Sequence, residues 1–220
     1  MKTVIFDMDG VIFDTEVVDR QAWVELGEAR GLPWVNEFIY EIVGTTGAYV
    51  RERLKERLGT DGAVAEFIEA QDKLLDDYYA KHQVEIKKGL LDLLEYLKAN
   101  DYRVAIASSG TENWIMKNVN GAGIRNYFEI IVSGDLVTNS KPDPEIFLLA
   151  CEKLGVKPQD AWVIEDSKNG IRAAREAGCK TIFIPDLWCP ENPSEHEDVD
   201  YYLEDLGKVI PLLEKNENAI

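Results

Sequence analysis

Val4-Ile5-Phe6-Asp7-Met8-Asp9-Gly10-Val11-Ile12-Phe13-Asp14-Thr15-Glu16 is the stretch that decides the fold. Its first three residues are apolar and rich in β-branched and aromatic types, so they read as a short strand buried on both faces, ending at a carboxylate. Asp7 and Asp9 are two apart. In extended backbone both side chains leave the same side of the chain at the strand's C-terminal end. Two like charges that close resist joint ionisation unless a cation sits between them. With no basic residue in the stretch, the pair points to a hard divalent metal, Mg²⁺ above all, which takes few protein carboxylates and leaves room for a phosphate oxygen. Gly10 lets the chain turn sharply just beyond.

Outward from there, residues 16–83 carry helical periodicity throughout, in four segments: Glu16 to Arg30, Trp34 to Val43, Thr46 to Leu58 and Ala63 to Lys81. From Val84 the rhythm changes to alternating helix and strand, which argues a parallel sheet covered on both faces. The first strand then needs partners that follow the helical stretch. The expected architecture is an α/β fold, a Rossmann-like parallel sheet with helices on both faces. Residues 1–15 and 84–220 form this discontinuous core, and residues 16–83 form a small inserted helical domain. Pro185 to Asp198, rich in proline and acid, reads as an irregular loop, and Tyr201-Tyr202 as a last edge strand.

Parallel strands present their C-terminal ends on one edge, where such sheets bind ligands. The residues that end the apolar strands are Asp7, Ser108 and Glu165-Asp166. A further polar element, Ser140-Lys141-Pro142-Asp143-Pro144-Glu145, follows the strand around Ile130. Asp143 reads there as an N-cap with Pro144 at the first helical position. Phosphoryl transfer asks for an in-line nucleophile, a metal bridging it to the phosphate, and donors for the remaining oxygens. Asp7 suits nucleophile and metal ligand. Asp9 suits general acid and base, its backbone carbonyl being a further candidate ligand. Ser108, with the Ser109 and Gly110 amides, suits the phosphate oxygens. Lys141 suits charge neutralisation, and Asp166, with Glu165 as a possible second, completes the metal ligands. Ser167 reads as the cap of the next helix, and Asp14 as the cap of the helix from Glu16.

Asp7-Met8-Asp9-Gly10, Ser108-Ser109, Lys141-Pro142-Asp143-Pro144-Glu145 and Glu165-Asp166-Ser167 with Gly170 resemble, in order and spacing, the four motifs of the haloacid dehalogenase-like (HAD) phosphatases. The likeness covers nearly the whole chain and is nearest to the capped, β-phosphoglucomutase-like subfamily. It implies a Mg²⁺-dependent phosphatase of small phosphomonoesters, a sugar or polyol phosphate, acting through an aspartyl-phosphate on Asp7. It also implies that residues 16–83 are a mobile cap, whose loop at Thr45 and Thr46 is where substrate selection is expected. The phosphosugar mutases of that subfamily carry a His shortly after the first motif and an Arg in a cap loop. Alignment puts Asp19 and Gly47 there, with Arg51 and Arg53 the nearest cations, which weakens the mutase alternative. A dehalogenase has no use for Asp9 or for Glu165-Asp166. A non-catalytic, receiver-like phosphate-sensing module shares the carboxylates, hydroxyl and lysine, but has no need of a helical cap.

The composition bounds the partners. With 24 basic against 41 acidic residues in 220, the net charge of −17 repels nucleic acid and anionic membranes. No apolar run approaches the ~18 residues of a membrane span, so a cytoplasmic monomer acting on a small phosphorylated metabolite is expected. Cys151, Cys179 and Cys189 are far apart and form no Cys-x-x-Cys pair, and His82 and His196 lack zinc-type neighbours.

Overall fold

A computed structural model describes residues 2–42, 45, 47–190, 192–193 and 196–217. The first strand, β1 (Thr3–Phe6), is buried along its whole length. Four helices follow before the sheet resumes: α1 (Glu16–Ala29), α2 (Val35–Ile42), α3 (Gly47–Leu58) and α4 (Asp61–Tyr79). They share an apolar cluster of their own in which Trp23 packs against Phe38 and Phe67 at centroid separations of 5.8 and 5.3 Å. Each such buried ring contributes roughly 1.5–3 kcal/mol. Thr60 opens α4 by accepting from the Ala63 amide, two residues before the start that apolar periodicity suggests.

The remaining elements are α5 (Leu90–Ala99), β2 (Arg103–Ser108), α6 (Glu112–Gly121), β3 (Ile130–Ser133), α7 (Glu145–Leu154), β4 (Ala161–Glu165), α8 (Lys168–Ala177), β5 (Lys180–Phe183), β6 (Tyr201–Tyr202) and α9 (Val209–Glu217). All six strands are parallel, in the order β3-β2-β1-β4-β5-β6. Alternation along the strands separates two cores: Val4, Phe6, Ile106 and Ile164 meet α5, α6 and α9, whereas Ile5, Ala105 and Val163 meet α7 and α8. The chain is therefore a three-layer α/β sheet with β1 at its centre, as the sequence pattern implies. Among the described residues, no helix is long and apolar enough to cross a membrane.

Two linkers join the helical segment to the sheet, and they run side by side. Phe13 bridges Ile86 in antiparallel sense, Asp14 donates its amide to Glu85, and Lys87 donates to Ile12, both at 2.9 Å. Two expected caps differ. Asp14 does not cap α1; its carboxylate accepts from Lys87 Nζ at 3.3 Å, because a full charge across the linkers is a stronger partner than a neutral helix amide. Helix α7 starts one residue later than expected, with Pro144 at its N-cap and Asp143 Oδ1 accepting from the Glu145 amide at 3.0 Å. Ser167 does cap α8, accepting from the Gly170 amide.

Candidate active site

Because the strands are parallel, β1, β2 and β4 deliver Asp7, Ser108 and Glu165-Asp166 to one rim, and the turn before α7 adds Lys141. Lys141 is buried, and its three ammonium hydrogens have three acceptors: Asp7 Oδ1 and Glu165 Oε1 at 2.6 Å each, and the Ala107 carbonyl at 3.3 Å. Burial works against its charge, but the two carboxylates more than offset this and keep it protonated well past the ordinary lysine range. Burial pushes Asp7 up to about 7 although Lys141 opposes the shift; Glu165 and Asp9 push the same way as burial.

Asp9 is held by two donors to one oxygen: the Thr15 hydroxyl at 2.7 Å and the Trp114 indole N–H at 3.2 Å. Burial raises its pKa, and these bonds act against the rise. A carboxyl tuned upward and fixed in orientation suits a group that gives a proton and takes one back. Ser108 is buried, with its Oγ accepting from the Gly110 amide at 3.1 Å, while Ser109 is exposed. Both line a cavity of about 240 Å³ together with Asp7, Asp9, Lys141 and Asp166. Thr45 reaches the same cavity from the helical side. Thr46 lies outside the described residues.

Oxygens of Asp7, Glu165 and Asp166 lie within 4.8 Å of one another. An all-oxygen, carboxylate-rich donor set of this size fits a hard divalent cation. The raised pKa of Asp166, caused by burial and then by the Glu165 and Asp7 charges, marks a cluster short of positive charge. Glu165 is already occupied. Its Oε1 serves Lys141, and its Oε2 accepts from the Asp166 and Ser167 amides at 2.9 Å and from the Ser167 hydroxyl at 3.0 Å. Helix α8 makes room for it at Gly170, where a Cβ would fall 1.7 Å from Glu165 Oε1. Gly10 does the same on the other side: its φ is +81°, and a Cβ there would fall 2.3 Å from Asp166 Oδ2.

Several contributors escaped the sequence reading. Thr15 and Trp114 orient Asp9, and Trp114 lies 105 positions from it. Lys87 bridges Asp14 and Asp186, the latter at 3.0 Å. Asp186 stands just past β5, so the rule of reading the residue at each strand's end, carried one strand further, was the available signal.

Comparison with known proteins assigns the family. The family model described as haloacid dehalogenase-like hydrolase matches residues 4–184, so the chain belongs to the haloacid dehalogenase-like hydrolases. A phosphorylated carbohydrates phosphatase of Thermotoga maritima is 34% identical over 83% of this chain and 84% of its own. A fructose-1-phosphate phosphatase of Escherichia coli is 31% identical over 82% and 94%. Among solved structures, CbbY from Rhodobacter sphaeroides in complex with phosphate superposes with a TM-score of 0.77 at 28% identity, over 95% and 96% of the two chains. The protein is accordingly a hydrolase of phosphoric monoesters. Enzymes of this family use a divalent metal, and the buried carboxylates supply oxygen donors for one.

Proposed function

We propose that this chain is a Mg²⁺-dependent phosphatase of sugar or polyol monophosphates, in which residues 16–83 cap a core made of 1–15 and 84–220. The observation that carries the reading is the convergence of Asp7, Asp9, Ser108, Lys141 and Asp166 on one cavity. Asp7 attacks phosphorus, and the bond to the leaving oxygen breaks as Asp9 gives that oxygen its proton. A water then attacks the aspartyl-phosphate, Asp9 takes the water's proton, and inorganic phosphate leaves with Asp7 restored. Lys141 keeps Asp7 oriented and balances part of the charge, while Ser108 and the amides beyond it serve the phosphoryl oxygens. Asp7, Asp166 and the Asp9 carbonyl would hold Mg²⁺, with Glu165 acting through Lys141. The ion, when bound, would supply positive charge that offsets the negative charge of the nucleophile and the phosphoryl group.

The leaving group's chemistry follows from a second cavity of about 630 Å³ that shares Asp9 and Glu16 with the first. Its walls include Asp19, Asp72 and Asp76, together with the rings of Tyr79 and Trp114, 5.4 Å apart. Carboxylates accept from hydroxyl groups, and aromatic faces suit the C–H faces of a sugar or polyol. A second phosphate would meet these acids with Lys117 as the only cationic wall residue among those described. This argues against the mutase alternative, which must grip a bisphosphate. Of the two cations nearest the missing clamp, Arg53 is engaged, paired with Glu41 and Glu56.

The same reading takes the enzyme as a cytoplasmic monomer. Its test is a panel of sugar, polyol and glycolate monophosphates with Mg²⁺, followed for phosphate released and for isomer formed in the same mixture. Phosphate in large excess from hydroxyl-rich monoesters is the expected result. Isomer in excess when primed with a bisphosphate sinks the reading and restores the mutase.

A further inference from the structure

Among the described residues, two buried side-chain polar atoms have no hydrogen-bond partner: Thr3 Oγ1 and Asp186 Oδ2. The second is chemically conspicuous, since an unsatisfied buried carboxylate oxygen costs more than an unsatisfied hydroxyl. The Asp186 side chain is only 9% exposed, and Lys87 holds its other oxygen at 3.0 Å. Oδ2 points to the metal cluster: it and Asp166 Oδ2 lie 3.0 and 2.3 Å from the one point that a Cβ on Gly10 would occupy. Asp186 is nevertheless outside the group of Asp7, Glu165 and Asp166 oxygens that lie within 4.8 Å of one another. It is thus not one of the candidate first ligands.

We propose that Asp186 is a positioning residue for the divalent ion, its Oδ2 accepting a hydrogen bond from a water in the ion's coordination shell on the Gly10 and Asp166 side. This rests on the reading that Asp7 and Asp166 hold the ion. Mg²⁺ keeps several of its waters and demands near-octahedral geometry, so acceptors fixed around those waters set its affinity. Lys87 fixes Asp186 from behind, and the absence of a side chain at Gly10 keeps a Cβ out of the space between the two carboxylates. An ion pair with Lys87 alone would explain Oδ1 and leave Oδ2 with no purpose.

The test titrates the full-length protein, freed of metal by chelation, with MgCl₂ by calorimetry, and follows its melting temperature with and without Mg²⁺. Asp186→Asn is expected to weaken the dissociation constant for Mg²⁺ by about 10-fold or more, the scale of outer-shell partners, while the metal-free melting temperature holds or rises. Asp14→Asn removes the same charge from the same lysine without touching the orphaned oxygen, and is expected to shift the constant by less than about 3-fold, as for a screened, remote charge. Asp186→Ser serves as a second variant should the amide misfold. Equal Mg²⁺ affinity in wild type and both Asp186 variants, or an equal loss in Asp14→Asn, overturns the inference while leaving the metal site standing. A wild type that binds no Mg²⁺ overturns the metal reading itself, and this inference with it.

Discussion

The rim of the sheet and the facing surface of α1–α4 are both crowded with carboxylates, but only the rim ties them down. On the rim, Lys141 spends all three donors on Asp7, Glu165 and the Ala107 carbonyl, and Glu165 receives four donors in all. On the helical side, Asp19 accepts from Gln71 at 2.6 Å, and Glu16 is raised far above the ordinary range by burial and by the Asp19 charge. Groups that make and break bonds are held within tenths of an ångström by neighbours. On the proposed reading, the groups on the helical side face the leaving alcohol and keep acceptor capacity for its hydroxyls.

The sharpest way to break this contrast is Asp7→Asn. If Asp7 is the nucleophile, turnover falls by about 10⁴-fold or more with the fold retained, because an amide does not attack phosphorus. Steady-state rates beside a circular dichroism melt measure both, and activity within tenfold of wild type in the folded variant sinks the mechanism. Next in size is Lys141→Met, which leaves two buried carboxylates without their shared cation. It is expected to cost about 3–5 kcal/mol in urea unfolding with chelator present; a loss below about 1 kcal/mol, the level of a surface pair, means that the rim is not preorganised by this lysine.

The smallest effect belongs to the helical side. Burial, and then the Asp9 charge, raise Asp19 to about 6 from a reference of 3.8. Above that pH the folded protein carries an ionised group it disfavours. The cost fades as pH falls through 6 towards 3.8, because the folded state takes up the proton before the unfolded chain does. Asp19→Asn, which can still accept from Gln71, is therefore expected to be about 1–2 kcal/mol more stable than wild type near pH 8 and to lose that margin near pH 4.5. Denaturation at the two pH values checks it, and a variant less stable than wild type near pH 8 contradicts it.

What was legible in the sequence was the local part of this contrast. An apolar triplet ending in Asp7, the same pattern before Ser108 and before Glu165-Asp166, and a lysine ahead of a helix are all read within a dozen residues. Periodicity then assigns the layers. What stayed hidden was long-range pairing of side chains. Asp14 looks like a cap locally, but its partner Lys87 is 73 positions away. Trp114 reads as an ordinary helix residue until Asp9 is found against its indole. Asp186 was lost in a stretch that composition marks only as loop, although the backbone of Ile184 still donates to Glu165 and carries the sheet to its door. Glu165 reads in the sequence as a possible second metal ligand, and its four hydrogen-bond donors, three of them on Oε2, were not visible there.

The central place of β1 also bears on how the chain is made. Its two neighbours are Arg103–Ile106 and Ala161–Ile164, so during synthesis β1 leaves the ribosome about a hundred residues ahead of β2 and about 160 ahead of β4. At roughly 5–20 residues per second it waits roughly 5–20 s for β2, and longer for β4, while the intervening helices have a core of their own to complete. For that interval Val4-Ile5-Phe6 is a naked hydrophobic strand, the kind of segment that recruits other nascent chains. It is short, and Asp7 and Asp9 follow at once, placing charge where gatekeeping residues restrain such pairing. The two carboxylates assigned here to phosphoryl transfer thus protect the strand that carries them before there is any active site to serve.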